Sequence, residues 1–373
     1  MGIDLFAEQR TKNKLHPQFL TLRDFPMCES ARGMLREIQA RFDDPDGNFV
    51  EQFQTSGFDS RTFELFLFAL FEESGHSIDR SHDRPDFMIT KDGLSVSVEA
   101  VTANPKPSKE HQPYDAFPVS RSDDELKKYL QNDLAIRIGS PLFTKLKKRY
   151  WELPHVAGKP LVLAIQCFHE PGALSFTSTT LTHLLFGYRQ SWYHNKDGEL
   201  IISEVPITEH RSDIKSIPSG FFSQPGADNI SAVLFANTGT IPKFGRMGLE
   251  AGHGSGTVRM LRHGTCYRHD KNSALPEPFV YEVGDPEQGR ETWREGTILI
   301  HNPNALHPLP AEWLGAGAEE NMENGKTITT FSKSFLPYWS LTMNFPGNFP
   351  TSIMQLEAHR IGTELEKQFP LET

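Results

Sequence analysis

The chain has 373 residues and carries 38 Lys and Arg against 48 Asp and Glu, so its formal net charge is −10. This length is enough for one large domain or two ordinary ones. A content of 28 Gly, 26 Pro and 3 Cys excludes collagen-like, coiled-coil and disulfide-stabilised scaffolds. The negative net charge argues against non-specific nucleic-acid binding by the surface as a whole.

The expected compartment follows from the cysteines and from the apolar runs. No apolar run approaches the roughly 20 residues that a bilayer-spanning helix needs, so no membrane partner is expected. The first residues lack the basic region and apolar stretch of a signal peptide. Three cysteines, Cys28, Cys167 and Cys266, predict reduced thiols in a chain of this length. We therefore expect a cytoplasmic protein.

The first predicted elements are an arm and two helices. Residues 1–22 are expected to form an irregular or partly ordered arm, followed by a helix over 31–43 that Ser30 would cap. The strongest helix signal covers residues 61–74. Asp59 or Ser60 could be its N-cap, and Gly75 would follow its last turn.

A hairpin is predicted next, with strands over residues 86–91 and 94–102. Asp92-Gly93 joins them, and an Asp-Gly pair between apolar alternations is the strongest short-range hairpin signal. Residues 122–151 are expected to be helical, with a break at Gly139-Ser140-Pro141, because proline disfavours helical geometry in the residue before it.

Three later segments are continuously apolar, which is typical of strands buried on both faces. They are residues 161–168, 232–236 and 297–300. Helices interleaved with such strands predict an α/β fold with a mixed β-sheet flanked by helices. The periodicity of residues 311–373 is weak, and we expect an irregular C-terminal extension there.

The hairpin brings two carboxylates together. With Asp92 and Gly93 as the turn, Lys91 pairs with Leu94, and Asp86 then lies directly opposite Glu99. Directly paired side chains point to the same face with Cβ atoms about 4.5–5.5 Å apart. Two carboxylates at this separation repel each other unless a divalent cation lies between them. The alternative is an edge hairpin with both acids exposed to water.

Glu64 is a third acidic candidate, in the helix over 61–74. It is the only charged residue between Thr62 and Phe71, and its helical neighbours at i+3, i+4 and i+7 are apolar. A carboxylate on a buried stripe is costly unless it is paired or binds a metal. Alternatively, Glu64 lies at the edge of the stripe and reaches water.

Two segments are basic within this acidic chain, residues 121–160 and residues 240–271, each with a net charge of +4. Together they could form a phosphate-binding groove. The candidate nucleic-acid contacts in the second segment are Lys243, Arg246, Arg259 and Arg262. The alternative for either segment is an ordinary solvated face.

The order of these residues resembles the PD-(D/E)XK nuclease superfamily. Glu64 is followed by Arg84-Pro85-Asp86-Phe87 and then by Val98-Glu99-Ala100, as in the bacterial subgroup marked by an RPDF…VEA motif. The resemblance covers about residues 58–168 and continues weakly to the strand at 232. It implies a restriction-endonuclease-like core over 55–310, with an N-terminal arm and helix over 1–54 and an extension over 311–373.

The resemblance also implies a chemistry. Glu64 matches the acid of the helix, while Asp86 and Glu99 match the two metal ligands. Together they would hold Mg²⁺ or Mn²⁺ for hydrolysis of a phosphodiester, with DNA as the expected partner. The family places a Lys two residues after the second acid, but this chain has Val101 there. Lys145 and Lys148 are the candidates for supplying that charge from a helix; the alternative is that both are ordinary surface lysines.

Three functions are therefore considered. The first is a Mg²⁺-dependent nuclease. The second is a non-catalytic protein of the same fold that binds nucleic acid or forms a complex, with a second copy of the chain or another protein as a further partner. The third is an unrelated metal-dependent hydrolase of small phosphate esters.

Overall fold

A mixed eight-stranded sheet forms the centre of the fold. The computed structural model describes residues 4–7, 14–45, 47–105 and 119–370. In chain order the strands are β1 (Ser77–Asp79), β2 (Phe87–Lys91), β3 (Leu94–Ala103), β4 (Leu161–Cys167), β5 (Tyr188–His194), β6 (Leu200–Pro206), β7 (Glu209–Arg211), β8 (Ser216–Pro218), β9 (Ala232–Ala236), β10 (Val258–Cys266), β11 (Glu277–Glu282), β12 (Thr297–His301), β13 (Ala318–Glu323), β14 (Lys326–Phe331) and β15 (Pro337–Pro346).

The central sheet has the strand order β1-β2-β3-β4-β9-β12-β13-β14. Strands β3, β4 and β9 are parallel neighbours, and so are β12 and β13, whereas the other pairs are antiparallel. A smaller sheet has the order β11-β10-β15, and two hairpins, β5-β6 and β7-β8, stand apart from both. The α/β prediction with a mixed sheet is confirmed.

Helices cover both faces of the central sheet. They are α1 (Pro17–Asp24), α2 (Glu29–Gln39), α3 (Phe49–Gln54), α4 (Phe58–Glu73), α5 (Asp123–Lys128), α6 (Leu134–Lys147), α7 (Thr179–Phe186), α8 (Ile241–Glu250) and α9 (Thr351–Gln368). Helices α1–α4 share one core cluster with Val162 and Leu234, while α6 and α7 share the other with Leu163 and Val233. Adjacent residues of β4 and β9 thus enter opposite clusters, as predicted for strands buried on both faces.

The predicted helices form, but their ends differ. Ser30 lies inside α2, whose N-cap is Cys28, and α4 begins at Phe58 after Gly57. Gly75 follows α4 with a φ of +81°, as predicted for a residue after the last turn. The break expected at Gly139-Ser140-Pro141 is wrong. Helix α6 continues through Pro141, held by the buried side chains of the helix, and the irregularity is instead a π-helical turn over Tyr129–Asp133.

Both chain ends contribute more to the fold than expected. Leu5 and Phe6 are buried, with the Phe6 ring 6.1 Å from the Phe19 ring. The expectation of an irregular extension over 311–373 is wrong, because this stretch contains β13, β14, β15 and α9. Strands β13 and β14 belong to the central sheet, so the sheet extends past the expected boundary at residue 310.

The part of the chain that the structure describes contains no helix combining the length and the apolar character that crossing a membrane requires.

Candidate metal centre

The predicted register of the β2-β3 hairpin is confirmed. Lys91 pairs with Leu94 and Phe87 with Val98, while Asp92 and Gly93 have φ values of +52° and +78°. Positive φ at both central residues is the requirement of a two-residue type I′ turn. The backbone N–H of Asp86 donates to Glu99 Oε2 at 3.3 Å, so the two acids meet as the hairpin register predicts.

The hairpin is not an exposed edge. Strand β3 lies between β2 and β4, and Glu99 is only 4% exposed. Asp86 lies just before β2 and accepts a hydrogen bond from the Ala100 N–H at 2.7 Å through Oδ2. Burial, together with the charges of Glu99 and Glu64, raises the pKa of Asp86 well above its usual range. A divalent cation beside these carboxylates would oppose that shift.

Helix α6 supplies a cation to the pair. The ammonium of Lys145 contacts Glu99 Oε1, and the Tyr150 hydroxyl donates to the same oxygen at 2.9 Å. Burial and the charge of Glu99 raise the pKa of Tyr150, so its hydroxyl stays protonated at neutral pH. Of the two candidate lysines, the structure brings only Lys145 to the acids. Lys148 is exposed, with its ammonium 5.7 Å from the centroid of the Tyr150 ring.

Glu64 is buried and paired. It is 4% exposed, so the alternative in which it reaches water is wrong. Arg61 Nη1 lies 2.7 Å from both carboxylate oxygens, and Arg80 Nη2 lies 3.2 Å from Oε2. Burial raises the pKa of Glu64 while these two arginines oppose the shift. Because two guanidinium groups already neutralise it, Glu64 is a weaker metal ligand than Asp86 or Glu99.

Arg80 connects this acid to the hairpin. Its guanidinium lies 3.7 Å from the centroid of the Phe42 ring and 5.4 Å from that of Phe87, the residue after Asp86. Arg80 also donates to the backbone carbonyl of Asp43. Glu64 and Arg80 therefore fix the segment that leads into β2, which is a positioning role.

The donor set suits a hard cation with few protein ligands. Mg²⁺ is usually held by one or two carboxylates and keeps several waters. Within the described ranges, no three His, Cys, Asp or Glu side chains are grouped to hold a metal ion. Because Asp86 and Glu99 meet at the hairpin, they are the residues that could hold such an ion, with Lys145 and Tyr150 engaging one oxygen of Glu99.

The second basic segment contradicts the expectation of a nucleic-acid surface. Lys243, Arg246 and Arg262 are buried, each at most 2% exposed. Lys243 and Arg246 pair with Glu291 at 2.6 and 2.7 Å. Side chains enclosed in this way are not available to a phosphate backbone, so this prediction is wrong for all three.

Arg262 completes this buried cluster, and Arg259 lies at its edge. Arg262 lies 2.9 Å from Glu295 and 3.3 Å from Glu291. Burial acts against ionisation of Glu291, but the three cations around it hold its pKa well below its usual range. Arg259 is less enclosed and forms a two-bond pair with Glu282 at 2.7 and 2.8 Å, so its guanidinium is also engaged within the chain.

Sequence reasoning missed Tyr150, Arg61 and Arg80. Arg61 precedes Glu64 by three residues, a helical spacing that signals an ion pair. Tyr150 follows α6 after Arg149, which has a left-handed φ of +51°, so helical spacing from Lys145 does not reach it. Arg80 lies in the loop after β1, and the sequence pattern there does not predict its contact with Glu64 on α4.

Comparison of the chain with protein-family models, curated proteins and solved structures gave no match.

Proposed function

We propose that the chain is a metal-dependent phosphodiesterase that cleaves DNA, with Mg²⁺ or Mn²⁺ held by Asp86 and Glu99 on a restriction-endonuclease-like core. The observation that carries the proposal is the meeting of these two carboxylates with the Lys145 ammonium. Helix α4 on one face of the β2-β3-β4 strands and helix α6 on the other are consistent with such a core.

Each side chain has a distinct part in the proposed chemistry. When bound, the metal ion would polarise the scissile phosphate and lower the pKa of a water molecule. Lys145, a compact ammonium beside the metal ligands, would stabilise the negative charge that develops on the phosphate. It would thereby supply the cation that Val101 cannot. The Tyr150 hydroxyl holds Glu99 in place, and Glu64 with Arg80 positions the segment before Asp86.

A second candidate function is a non-catalytic protein of the same fold. It is favoured by the presence of Val101 at the usual lysine position and by the contact of Lys145 with Glu99 Oε1, an oxygen that a metal would otherwise bind. Metal-dependent cleavage separates the two candidates, because only the first requires it.

The test is cleavage of supercoiled and linear DNA in Mg²⁺, in Mn²⁺ and in EDTA. We expect the unmodified protein to cut in metal and Asp86→Asn to show no cleavage above the EDTA blank. Asp83→Asn is the matched control, since its carboxylate is only three residues away but 73% exposed. A nitrophenyl phosphate assay detects the small-ester hydrolase. No cleavage by the unmodified protein would favour the non-catalytic candidate.

A further inference from the structure

A groove lies beside the C-terminal end of α6. It has a volume of about 860 Å³ and is lined on one side by α6 and the turn after it, and on the other by residues 215–218, 224–226 and 229. Three cations from two separate chain segments, Lys147, Arg149 and Lys215, line it. Among the described residues that line the groove there is no Asp or Glu. The residues that line the groove therefore carry a net charge of +3 on an acidic protein.

The cations of this groove are exposed, unlike those of the second basic segment. Lys147, Arg149 and Lys215 are all exposed to solvent. Lys215 donates to the Ser140 hydroxyl at 2.8 Å, a neutral partner that leaves its charge uncompensated. Arg149 pairs with Glu152 at 2.6 Å, but both side chains are more than half exposed, and such pairs are weak and easily exchanged. A polyanion could therefore engage all three.

Two aromatic side chains, Trp151 and Phe143, line the same groove and are half-buried. The Trp151 indole packs against Gly226, where an added Cβ would lie 3.4 Å from its Cζ2 atom. The Phe143 ring packs edge-on against Phe221, with centroids 5.2 Å apart. The surrounding fold thus holds both rings in place, as a stacking surface requires.

The groove adjoins the candidate metal centre through α6. Lys145 and Lys147 are two residues apart, so they project from nearly opposite sides of the helix. Tyr150, which bonds to Glu99, and Trp151, which lines the groove, are neighbours in the turn that follows. The separation is therefore about one helix diameter, about 10 Å.

We propose that this groove binds a single-stranded stretch of nucleic acid that flanks the phosphate to be cut. This inference rests on the proposed function for the position of that phosphate, but not for the binding itself. Cations that follow a backbone, interleaved with aromatic rings, are the general design of single-strand binding surfaces. In a duplex the bases are stacked on one another and paired, so their faces are not available to Trp151.

The proposal is tested by binding in EDTA, where the metal-dependent reaction cannot proceed. The probes are a labelled 20-nucleotide oligothymidine, a duplex of the same length, and a 20-unit abasic strand with the same backbone. We expect the oligothymidine to bind more tightly than both other probes. Trp151→Ala should weaken it about ten-fold or more, and Trp151→Phe should retain most of the affinity.

The lysines are tested by the salt dependence of the same binding. The double variant Lys147→Ala/Lys215→Ala should lower the slope of log K against log salt by about 1.4, because each single-strand phosphate contact contributes about 0.7. Trp192→Ala and Lys326→Ala/Lys367→Ala are matched controls, since these side chains are exposed on β5, β14 and α9. They should leave both affinity and slope unchanged.

The outcomes separate this inference from the proposed function. Equal affinity for duplex, abasic strand and oligothymidine would overturn it, and so would unchanged binding by both Trp151→Ala and the lysine double variant. If Trp151 supports binding in EDTA but the protein cuts nothing in metal, the proposed function fails while the single-strand site stands.

Discussion

The two basic segments carry the same net charge, but they differ in how exposed their cations are in the fold. In residues 121–160 the cations Lys147, Lys148 and Arg149 are exposed, and Lys145 reaches the Asp86–Glu99 pair. In residues 240–271 the three central cations are enclosed by Glu291 and Glu295. Those two partners lie about 20 residues beyond the segment, so a local charge sum cannot register them. Net charge along a sequence therefore does not predict exposure.

The ionic cluster around Glu291 and the one at the Asp86–Glu99 pair also differ in their balance of positive and negative charges. Around Glu291 three buried cations meet two buried carboxylates, so this cluster has no excess negative charge that an added cation would offset. At the hairpin, Asp86 and Glu99 meet one ammonium, and burial together with the charges of Glu99 and Glu64 raises the pKa of Asp86. The first arrangement is closed to solvent and structural, whereas in the second two carboxylates face one ammonium, a charge excess that an added cation would offset.

The largest effect on stability is expected from removing the central carboxylate of the buried cluster around Glu291. Glu291→Gln removes the carboxylate shared by Lys243, Arg246 and Arg262 and leaves buried charges uncompensated, which costs about 3–5 kcal/mol of unfolding free energy. Urea denaturation measures it. The control is Glu282→Gln, whose more exposed pair with Arg259 should cost less than about 1 kcal/mol. A similar small loss for Glu291→Gln would contradict a structural role for the cluster.

The same carboxylate predicts a pH dependence. The folded-state pKa of Glu291 lies well below the ordinary value of about 4.3, so its contribution is complete above that pH. It is lost as the pH falls from about 4.3 toward the folded-state value. We expect the unfolding free energy of the unmodified protein to fall more steeply on acidification than that of Glu291→Gln. Parallel curves would show that Glu291 does not titrate in this way.

The second effect concerns the two lysines of α6. Lys145→Met should lower single-turnover DNA cleavage about 10²–10³-fold, because it removes the ammonium that contacts Glu99 and would stabilise the developing charge. Lys148→Met is the matched control, since Lys148 is exposed and three residues away, and we expect it to retain full turnover. Equal activity of the two variants would remove Lys145 from the proposed machinery.

A smaller effect is expected from relieving the excess charge at the hairpin. The raised pKa of Asp86 means that its ionised form destabilises the fold, and this penalty grows as the pH rises from about 4 through the folded-state pKa. In EDTA at pH 7, Asp86→Asn should therefore be as stable as the unmodified protein or more stable by about 1 kcal/mol. Thermal melts measure this, and severe destabilisation would make Asp86 a structural residue.

The smallest effect is expected at the rim of the second basic segment. Arg259→Ala removes a partly exposed ion pair with Glu282 and a hydrogen bond to the Phe349 carbonyl, at a cost of about 1 kcal/mol in urea denaturation. The salt dependence of oligonucleotide binding should not change, because this guanidinium is already engaged within the chain. A smaller slope of log K against log salt for this variant would indicate that Arg259 contacts the nucleic acid.

The sequence predicts the hairpin well for a physical reason. A two-residue Asp-Gly turn admits one register, and that register alone places Asp86 opposite Glu99. Continuous apolar strands such as β4 and β9 are equally clear, because burial on both faces leaves no polar position. The burial of Glu64 follows from its apolar helical neighbours.

Other features depend on contacts that are distant along the chain. Tyr150 joins the centre only because the turn after α6 returns toward β3, and Arg262 is buried only because Glu295 lies beside it. Strand β14 has no fully buried side chain and only two apolar residues, so no apolar run marks it as part of the central sheet. The fold class and the acidic pair could thus be predicted, whereas the helix ends, the buried cations and the C-terminal strands could not.

The late position of β13, β14 and β15 constrains how the protein can be made. Strand β15 pairs with β10 across its whole length, although some 80 residues separate them, and β13 is the parallel neighbour of β12. During synthesis β12 stays without β13 until residue 323 has left the ribosome, and β10 stays without β15 until residue 346 has done so. Until β13 pairs with it, β12 offers an open edge of the kind that promotes aggregation. Strands β10 and β15, which are far apart in sequence, must therefore fold together, and long-range pairing of this kind slows folding.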